Sequence, residues 1–207
     1  MSCMFTSCTK LKEIKGINNF NTINVTKMLG MFVSCDSLEY LDLTSYNASN
    51  VNDISMMFGK CHKLKQIKGI ENFHTINANN IFGLFAECFE LEFLDLSNFC
   101  TSNSTDFGSM FAECNKLKQI KGIKNFDTDN ATNMDGMFQA CHCLEYLDLS
   151  SFNTSKVENM EEMFDQCFKL KVIKGINNFN TINVKRMTGM FRECYSLENL
   201  DLTNFNT

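Results

Sequence analysis

Sulfur dominates the residues able to do chemistry. Eleven cysteines and three histidines stand among 207 residues, and the two types adjoin at Cys141-His142-Cys143. Thiolate and imidazole are zinc ligands, but alternate residues of an extended segment point apart and no second cluster lies nearby. No metal and no other cofactor is therefore expected. Eleven cysteines would also suit a disulfide framework, yet their spacing argues otherwise. Eight of them close the motif Phe-x-x-Cys, at Cys8, Cys35, Cys61, Cys88, Cys114, Cys141, Cys167 and Cys194. The steps between them alternate strictly, each long step exceeding the short one by a single residue. Each has two equivalent neighbours and no unique partner, so they are expected as buried free thiols. Cys3, Cys100 and Cys143 lie off this row and should be the more reactive ones. The chain has no Gly-rich phosphate loop, nucleophile–base pair or carboxylate dyad, which sets the expectation that it is not an enzyme.

A fixed period of this size is the signature of a solenoid, and it runs without interruption, so residues 1–207 are expected to form a single repeat domain. A net charge of −5 with no basic patch argues against nucleic acid as a partner. No run of 18 apolar residues exists, so membrane insertion is not expected.

The full unit is a pair of unlike halves, one long step and one short. In the even half, Leu38-x-x-Leu41-x-Leu43 predicts a short strand with Leu41 and Leu43 on one face and Tyr40 and Asp42 on the other. The odd half carries Lys15-Gly16-Ile17, and the glycine recurs as Gly69, Gly122 and Gly175. It supplies the extra residue of the longer half and predicts a bulge or turn at the strand end. Asn24, Asn50, Asn77, Asn103, Asn130 and Asn183 then stand where a helix would be N-capped. Val25, Met28, Phe32 and Cys35 follow at helical spacing, predicting an amphipathic helix of about ten residues on the face opposite the strands. Gly30, Gly83, Gly136 and Gly189 fall in the middle of that helix, where close approach of a neighbour would compensate their low propensity.

The segment Leu144 to Cys167, read as Leu-x-x-Leu-Asp-Leu-Ser-x-Phe-Asn-Thr-Ser-x-Val-x-x-Met-x-x-Met-Phe-x-x-Cys, resembles the 26-residue bacterial surface protein repeat of the BspA-type leucine-rich-repeat family. The resemblance covers the whole chain and is strongest in the even halves; in the odd halves Ile-Lys-Gly-Ile replaces Leu-Asp-Leu-Ser. It implies an α/β, leucine-rich-repeat-like right-handed solenoid of eight coils, arranged as four 53-residue pairs, with parallel strands on one face and short helices on the other. It also implies non-enzymatic protein binding or adhesion at a cell surface. The first residues, MSCMFTSCTK, lack the charged and apolar regions of a secretory leader, and reduced cysteines point toward an intracellular protein or an excised domain. The compartment is left open by these opposing signs.

Two rows of charge alternate in sign. One runs Lys12, Glu39, Lys65, Glu92, Lys118, Glu145, Lys171, Glu198; the other runs Lys15, Asp42, Lys68, Asp95, Lys121, Asp148, Lys174, Asp201. With parallel strands about 4.8 Å apart, every charge is expected to have an opposite charge above and below. A slip of half a unit would stack like charges, so the rows are read as fixing register. Between them Tyr40, Phe93 and Tyr146 recur once per unit as an aromatic stripe on the open strand face. These three, with Asp42, Lys68, Asp95, Lys121 and Asp148, form the expected binding surface for a protein partner. A row of threonines (Thr22, Thr75, Thr101, Thr128, Thr154, Thr181, Thr207) has the periodicity of an ice-binding plane but lacks the second row such a plane needs.

The chain starts at the equivalent of Met28 and stops before the next predicted helix, a few residues short of four units. It is thus an excerpt, or its ends meet another copy. The second alternative would bring Glu198 and Asp201 onto Lys12 and Lys15 of the next molecule, giving a homo-oligomer by head-to-tail stacking.

Overall fold

A computed structural model describes residues 1–206, and Thr207 of the threonine row lies outside them. Six strands of three residues occur: β1 (Tyr40–Asp42), β2 (Gln66–Lys68), β3 (Phe93–Asp95), β4 (Gln119–Lys121), β5 (Tyr146–Asp148) and β6 (Val172–Lys174). The middle residue of each, from Leu41 to Ile173, is buried, and the first is exposed. That is the period-two pattern of a sheet with one face on a core. Among the described residues these strands pair parallel and in twos, β1 with β2, β3 with β4, β5 with β6, while isolated parallel bridges from Lys27 through Asp53 and Asn80 to Arg186 link every repeat to the next elsewhere on the coil. We call each such pair a couplet.

The couplets follow from the inserted glycine. Gly69, Gly122 and Gly175 come directly after β2, β4 and β6 and enter short 3-10 turns, Ile70–Asn72, Ile123–Asn125 and Ile176–Asn178. Their φ angles of 86–89° lie in the left-handed region, open to glycine at little cost. A Cβ on Gly122 would stand 2.5 Å from the backbone nitrogen of Ser97, and one on Gly69 2.6 Å from that of Thr44. The bare backbone therefore seats the odd half tightly on the even half before it. The extra residue is spent at this contact, and the next strand is not hydrogen-bonded to it.

The amphipathic helix is not there: no α-helix occurs among the described residues, and the short helical pieces are the 3-10 turns after the strands. The stretch from Met28 to Cys35 is a chain of tight turns with its amides used in alternation. Met28, Gly30, Phe32 and Ser34 donate to the carbonyls of Asp53, Ser55, Met57 and Gly59 one repeat on, at 2.9 Å each. Met31, Val33 and Cys35 donate to the residue three before. A ten-residue helix is marginal by itself, whereas a neighbouring repeat offers carbonyls in register. The apolar spacing serves both structures, because Met28, Met31, Phe32 and Cys35 are all fully buried.

Besides the glycines after the strands, two residues in every repeat adopt positive φ, one five before the row cysteine and one immediately before it. Gly30, Gly83, Gly136 and Gly189 hold the first position in alternate repeats. They are thus left-handed turn residues, and the side chain of the preceding repeat lies over them: a Cβ on Gly83 would meet the Met56 sulfur.

The asparagines placed as helix caps instead join repeats. The side-chain amides of Asn50, Asn77, Asn103, Asn130 and Asn183 donate to the carbonyls of Ile23, Ser49, Ile76, Ser102 and Ser155 at 2.6–2.9 Å. The threonine row is internal as well. Thr22 is buried, accepts from the Asn47 amide at 2.7 Å and donates to the Asn47 carbonyl at 3.0 Å. Thr75, Thr128, Thr154 and Thr181 are bonded alike. Hydroxyls consumed inside the stack present no plane to ice.

The core is a set of rows running along the stack. The Phe-x-x-Cys phenylalanines stack nearly parallel, with centroids 5.4–5.9 Å apart from Phe5 to Phe191. A second aromatic row through Phe20, Tyr46 and Phe73 stacks at 6.4 Å. Beside the first row, Cys35, Cys61, Cys88, Cys114, Cys141, Cys167 and Cys194 each donate S–H to the phenylalanine carbonyl of the previous repeat, at 3.0–3.2 Å. All eleven cysteines are unpaired. Burial pushes the Cys35 and Cys194 thiols up to about 11 and Cys114 to about 12.

Candidate functional site

The open face of the strands carries the exposed first residues of β1 to β6. Tyr40, Phe93 and Tyr146 are 39%, 49% and 52% exposed, and Val172 extends the apolar stripe at 49%. Gln66 and Gln119 alternate with the aromatics. The strand pitch holds these side chains outward because the next residue in each strand must be buried.

Charge on this face is paired within couplets. Lys68 lies 3.0 Å from Asp42, Lys121 2.6 Å from Asp95 and Lys174 2.9 Å from Asp148. In the other row Lys65, Lys118 and Lys171 lie 2.6–2.7 Å from Glu39, Glu92 and Glu145. Every one of these lysines reaches back to the acid of the preceding repeat. None forms an ion pair with the acid of the following repeat among the described residues. The expected partner on both sides is therefore corrected to a partner on one side. The cause is again the glycine insertion, which uncouples β2 from β3 and β4 from β5.

The second-row acids are held further. Each accepts, through its other oxygen, the amide and hydroxyl two residues on: Thr44 for Asp42, Ser97 for Asp95 and Ser150 for Asp148. The Ser150 hydroxyl and then Lys174 bring the Asp148 carboxyl down to about 2. Thr44 and Lys68 lower Asp42, and Lys121 and Ser97 lower Asp95. The charges of the face are thus ionised and mutually neutralised, and the aromatic rings stand between completed ion pairs.

Where couplets meet, the face opens into clefts. One of about 160 Å³ lies between β2 and β3, walled by Lys68, Ile70 and Glu71 on one side and by Phe93 and Asp95 on the other. A cleft of about 260 Å³ sets Lys15, Gly16 and Ile17 against Tyr40 and Asp42. A third, about 810 Å³, sets Lys174, Gly175 and Ile176 against Glu198 and Asp201. The reading of the residues missed these clefts. Their signal was present in the alternation of long and short steps, because the long step is the one without strand pairing.

Lys12, Lys15, Glu198 and Asp201 are exposed and make no ion pair among the described residues. They are the unmatched halves of couplets at the two ends of the stack. Cys141-His142-Cys143 is not a cluster: Cys141 is in the thiol row, and His142 stacks on Phe168 with centroids 4.4 Å apart. No group of three or more His, Cys, Asp or Glu side chains that could hold a metal occurs among the described residues.

Stacked short parallel strands, inward leucines and a tight return segment define a leucine-rich-repeat solenoid. Solved bacterial leucine-rich-repeat proteins share the fold: that of T. pallidum, with a TM-score of 0.54 at 18% identity over 91% of this chain and 76% of that one, and that of Eubacterium ventriosum, with 0.50 at 17% over 85% and 53%. One from Bacteroides ovatus matches at 14% identity over 95% of this chain and 56% of that one, with a TM-score of 0.45. The chain spans little more than half the length of the last two. No curated protein matches it. It belongs to the family described as "Mycoplasma protein of unknown function, DUF285", matched over residues 1–120 and again over 79–205, within the BspA-type leucine-rich-repeat group.

Proposed function

We propose that the chain is a non-enzymatic protein-interaction module, built as one right-handed solenoid domain of eight coils, whose partner docks on the strand face. A single observation carries this reading. Tyr40, Phe93 and Tyr146 each stand about half exposed between ion pairs that are already complete. Aromatic side chains of that kind are the usual anchors of protein interfaces, and neutralised flanks lower the desolvation cost of covering them. Adhesion would be one use of such a face.

Peptides selected by display on the wild-type chain test the reading. They should lose binding to a Tyr40→Ala, Phe93→Ala, Tyr146→Ala variant whose circular dichroism and melting temperature are unchanged. Peptides that bind the variant equally well would move the interaction off this face.

A second reading is self-assembly end to end. It is favoured by the unmatched charges, which are lysines at one end of the stack and acids at the other. Light scattering across protein concentration tests it: a mass that rises with concentration supports it, and a constant 23.7 kDa refutes it.

A further inference from the structure

Aromatic rings and side-chain amides alternate along the strand face, and we infer that its partner is an uncharged, proline-rich segment lying along the stack in the polyproline-II conformation. This rests on the strand-face reading of function and names the chemistry of the partner. Tyr40, Gln66, Phe93, Gln119 and Tyr146 hold the outward first positions of β1 to β5. The phenylalanine row advances 5.4–5.9 Å per repeat. Hydrogen-bonded strands stand about 4.8 Å apart, so an aromatic ring recurs about every 10 Å along the stack. A polyproline-II helix returns a side chain to the same face every third residue, about 9.3 Å on. A β-strand covers that distance in three residues but turns the third side chain to the opposite face. An α-helix matches it at every seventh residue, about 10.5 Å on, with its own carbonyls already bonded.

The amides decide between the last two. Gln66 and Gln119 are exposed, and their side chains hold no hydrogen bond among the described residues. Each offers two N–H donors midway between rings. A polyproline-II backbone has no internal hydrogen bonds, so its carbonyls are open to such donors. Charge points the same way. Lys68, Lys121 and Lys174 are already bonded to Asp42, Asp95 and Asp148, and a charged segment would compete with pairs that an uncharged one leaves intact. Beside the rings the face has room for small apolar groups. Gln66, Ile70 and Phe93 line the cleft of about 160 Å³, and Ile17 and Tyr40 line that of about 260 Å³. In the third couplet Val172 replaces the glutamine, so the contact runs from Tyr40 to Tyr146. That length takes about seven residues of ligand, with prolines at the first, fourth and seventh.

Calorimetric titration of the full chain with decaproline tests this, beside peptides selected by display without bias of sequence. Decaproline should bind saturably, and the Tyr40→Ala, Phe93→Ala, Tyr146→Ala variant should lose it. Gln66→Met with Gln119→Met keeps side-chain length and removes both donors. It should weaken decaproline about tenfold or more at an unchanged melting temperature. Decaproline held as tightly by that variant, or not bound by wild type, would overturn the polyproline assignment. The strand face itself would still stand if the selected peptides need the three rings. Selected peptides that bind the triple variant as well as wild type would overturn both.

Discussion

The Sγ of Cys88 lies 3.1 Å from the carbonyl oxygen of Phe58 and donates its proton there, thirty residues back along the chain. The thiol is fully buried, and it belongs to a row of seven such contacts. A protonated sulfur is what the contact requires. Below about pH 7.5 the thiol keeps its proton folded or unfolded, and the row has no pH dependence. Above it the unfolded chain releases protons that the folded chain retains, so stability falls as pH rises through the folded values near 11 and 12 of Cys35, Cys194 and Cys114. Each such thiol contributes a slope of about 1.4 kcal/mol per pH unit in that window. Melting temperatures should be level from about pH 6 to 7.5, begin to fall at about pH 8.5 and drop steeply at about pH 9.5 to 10. A profile that stays flat through that range would refute the row as a set of buried donors.

The same burial sorts the cysteines by accessibility. Cys3 and Cys8 are exposed, Cys100 and Cys143 half-buried, and the six from Cys35 to Cys167 in the row are buried. Titration with a disulfide reagent at mildly alkaline pH should show rapid reaction at Cys3 and Cys8 and slow reaction at the buried row until denaturant is added. Mass spectrometry of the labelled peptides assigns them, and early labelling of Cys88 or Cys114 would contradict the packing.

Gly122 and Gly16 are equivalent by sequence and unequal by structure. An added methyl at Gly122 strikes the Leu96–Ser97 backbone, whereas at Gly16 it meets only the Asn19 side chain, at 3.5 Å. Gly16→Ala should cost only the left-handed conformation, roughly 1–2 kcal/mol. Gly122→Ala adds a backbone collision and should exceed about 3 kcal/mol. Urea denaturation measures both, and equal losses would mean that the glycine does not seat one repeat on another.

Tyr46 occupies a row otherwise filled by phenylalanine. Its hydroxyl is buried without a hydrogen-bond partner among the described residues, and burial pushes its pKa up. Tyr46→Phe removes an unsatisfied polar atom and should stabilise the fold by about 1 kcal/mol. A lower melting temperature would show that the hydroxyl has a partner in solution.

Charge coupling should follow the couplets. A double-mutant cycle between Lys68 and Asp42 should give a measurable interaction that shrinks with added salt. The cycle between Lys68 and Asp95 should give none, because Asp95 is paired with Lys121. Equal coupling in the two cycles would restore a continuous ladder.

Much of this architecture was legible in the residues, and the gaps have physical causes. The period, the buried Leu41 and Leu43 and the outward Tyr40 follow from spacing alone. The turn at Gly69 was legible from its type and its inserted position. The helix expected through Met28 and Phe32 was not borne out, because apolar residues at three and four apart fit a ribbon of turns as well as a helix. Only the neighbouring carbonyls decide between them, and those lie a whole repeat away. The asparagine caps failed for the same reason: a side-chain amide beside a turn has both a local and a neighbouring partner, and here the neighbour wins. The strand-face aromatics stand exposed in the structure, whereas the clefts beside them arise from a one-residue difference whose consequence is three-dimensional.

Pairing by couplets also sets the arithmetic by which the molecule can change length. Removing one repeat would bring two glycine-bearing halves into contact, or two acid-bearing halves, with lysine against lysine or carboxylate against carboxylate and a backbone notch facing nothing. Removing a whole pair leaves every inner junction as it was. The heritable unit of insertion and deletion is therefore the pair, and length variants of this chain should differ by even numbers of repeats.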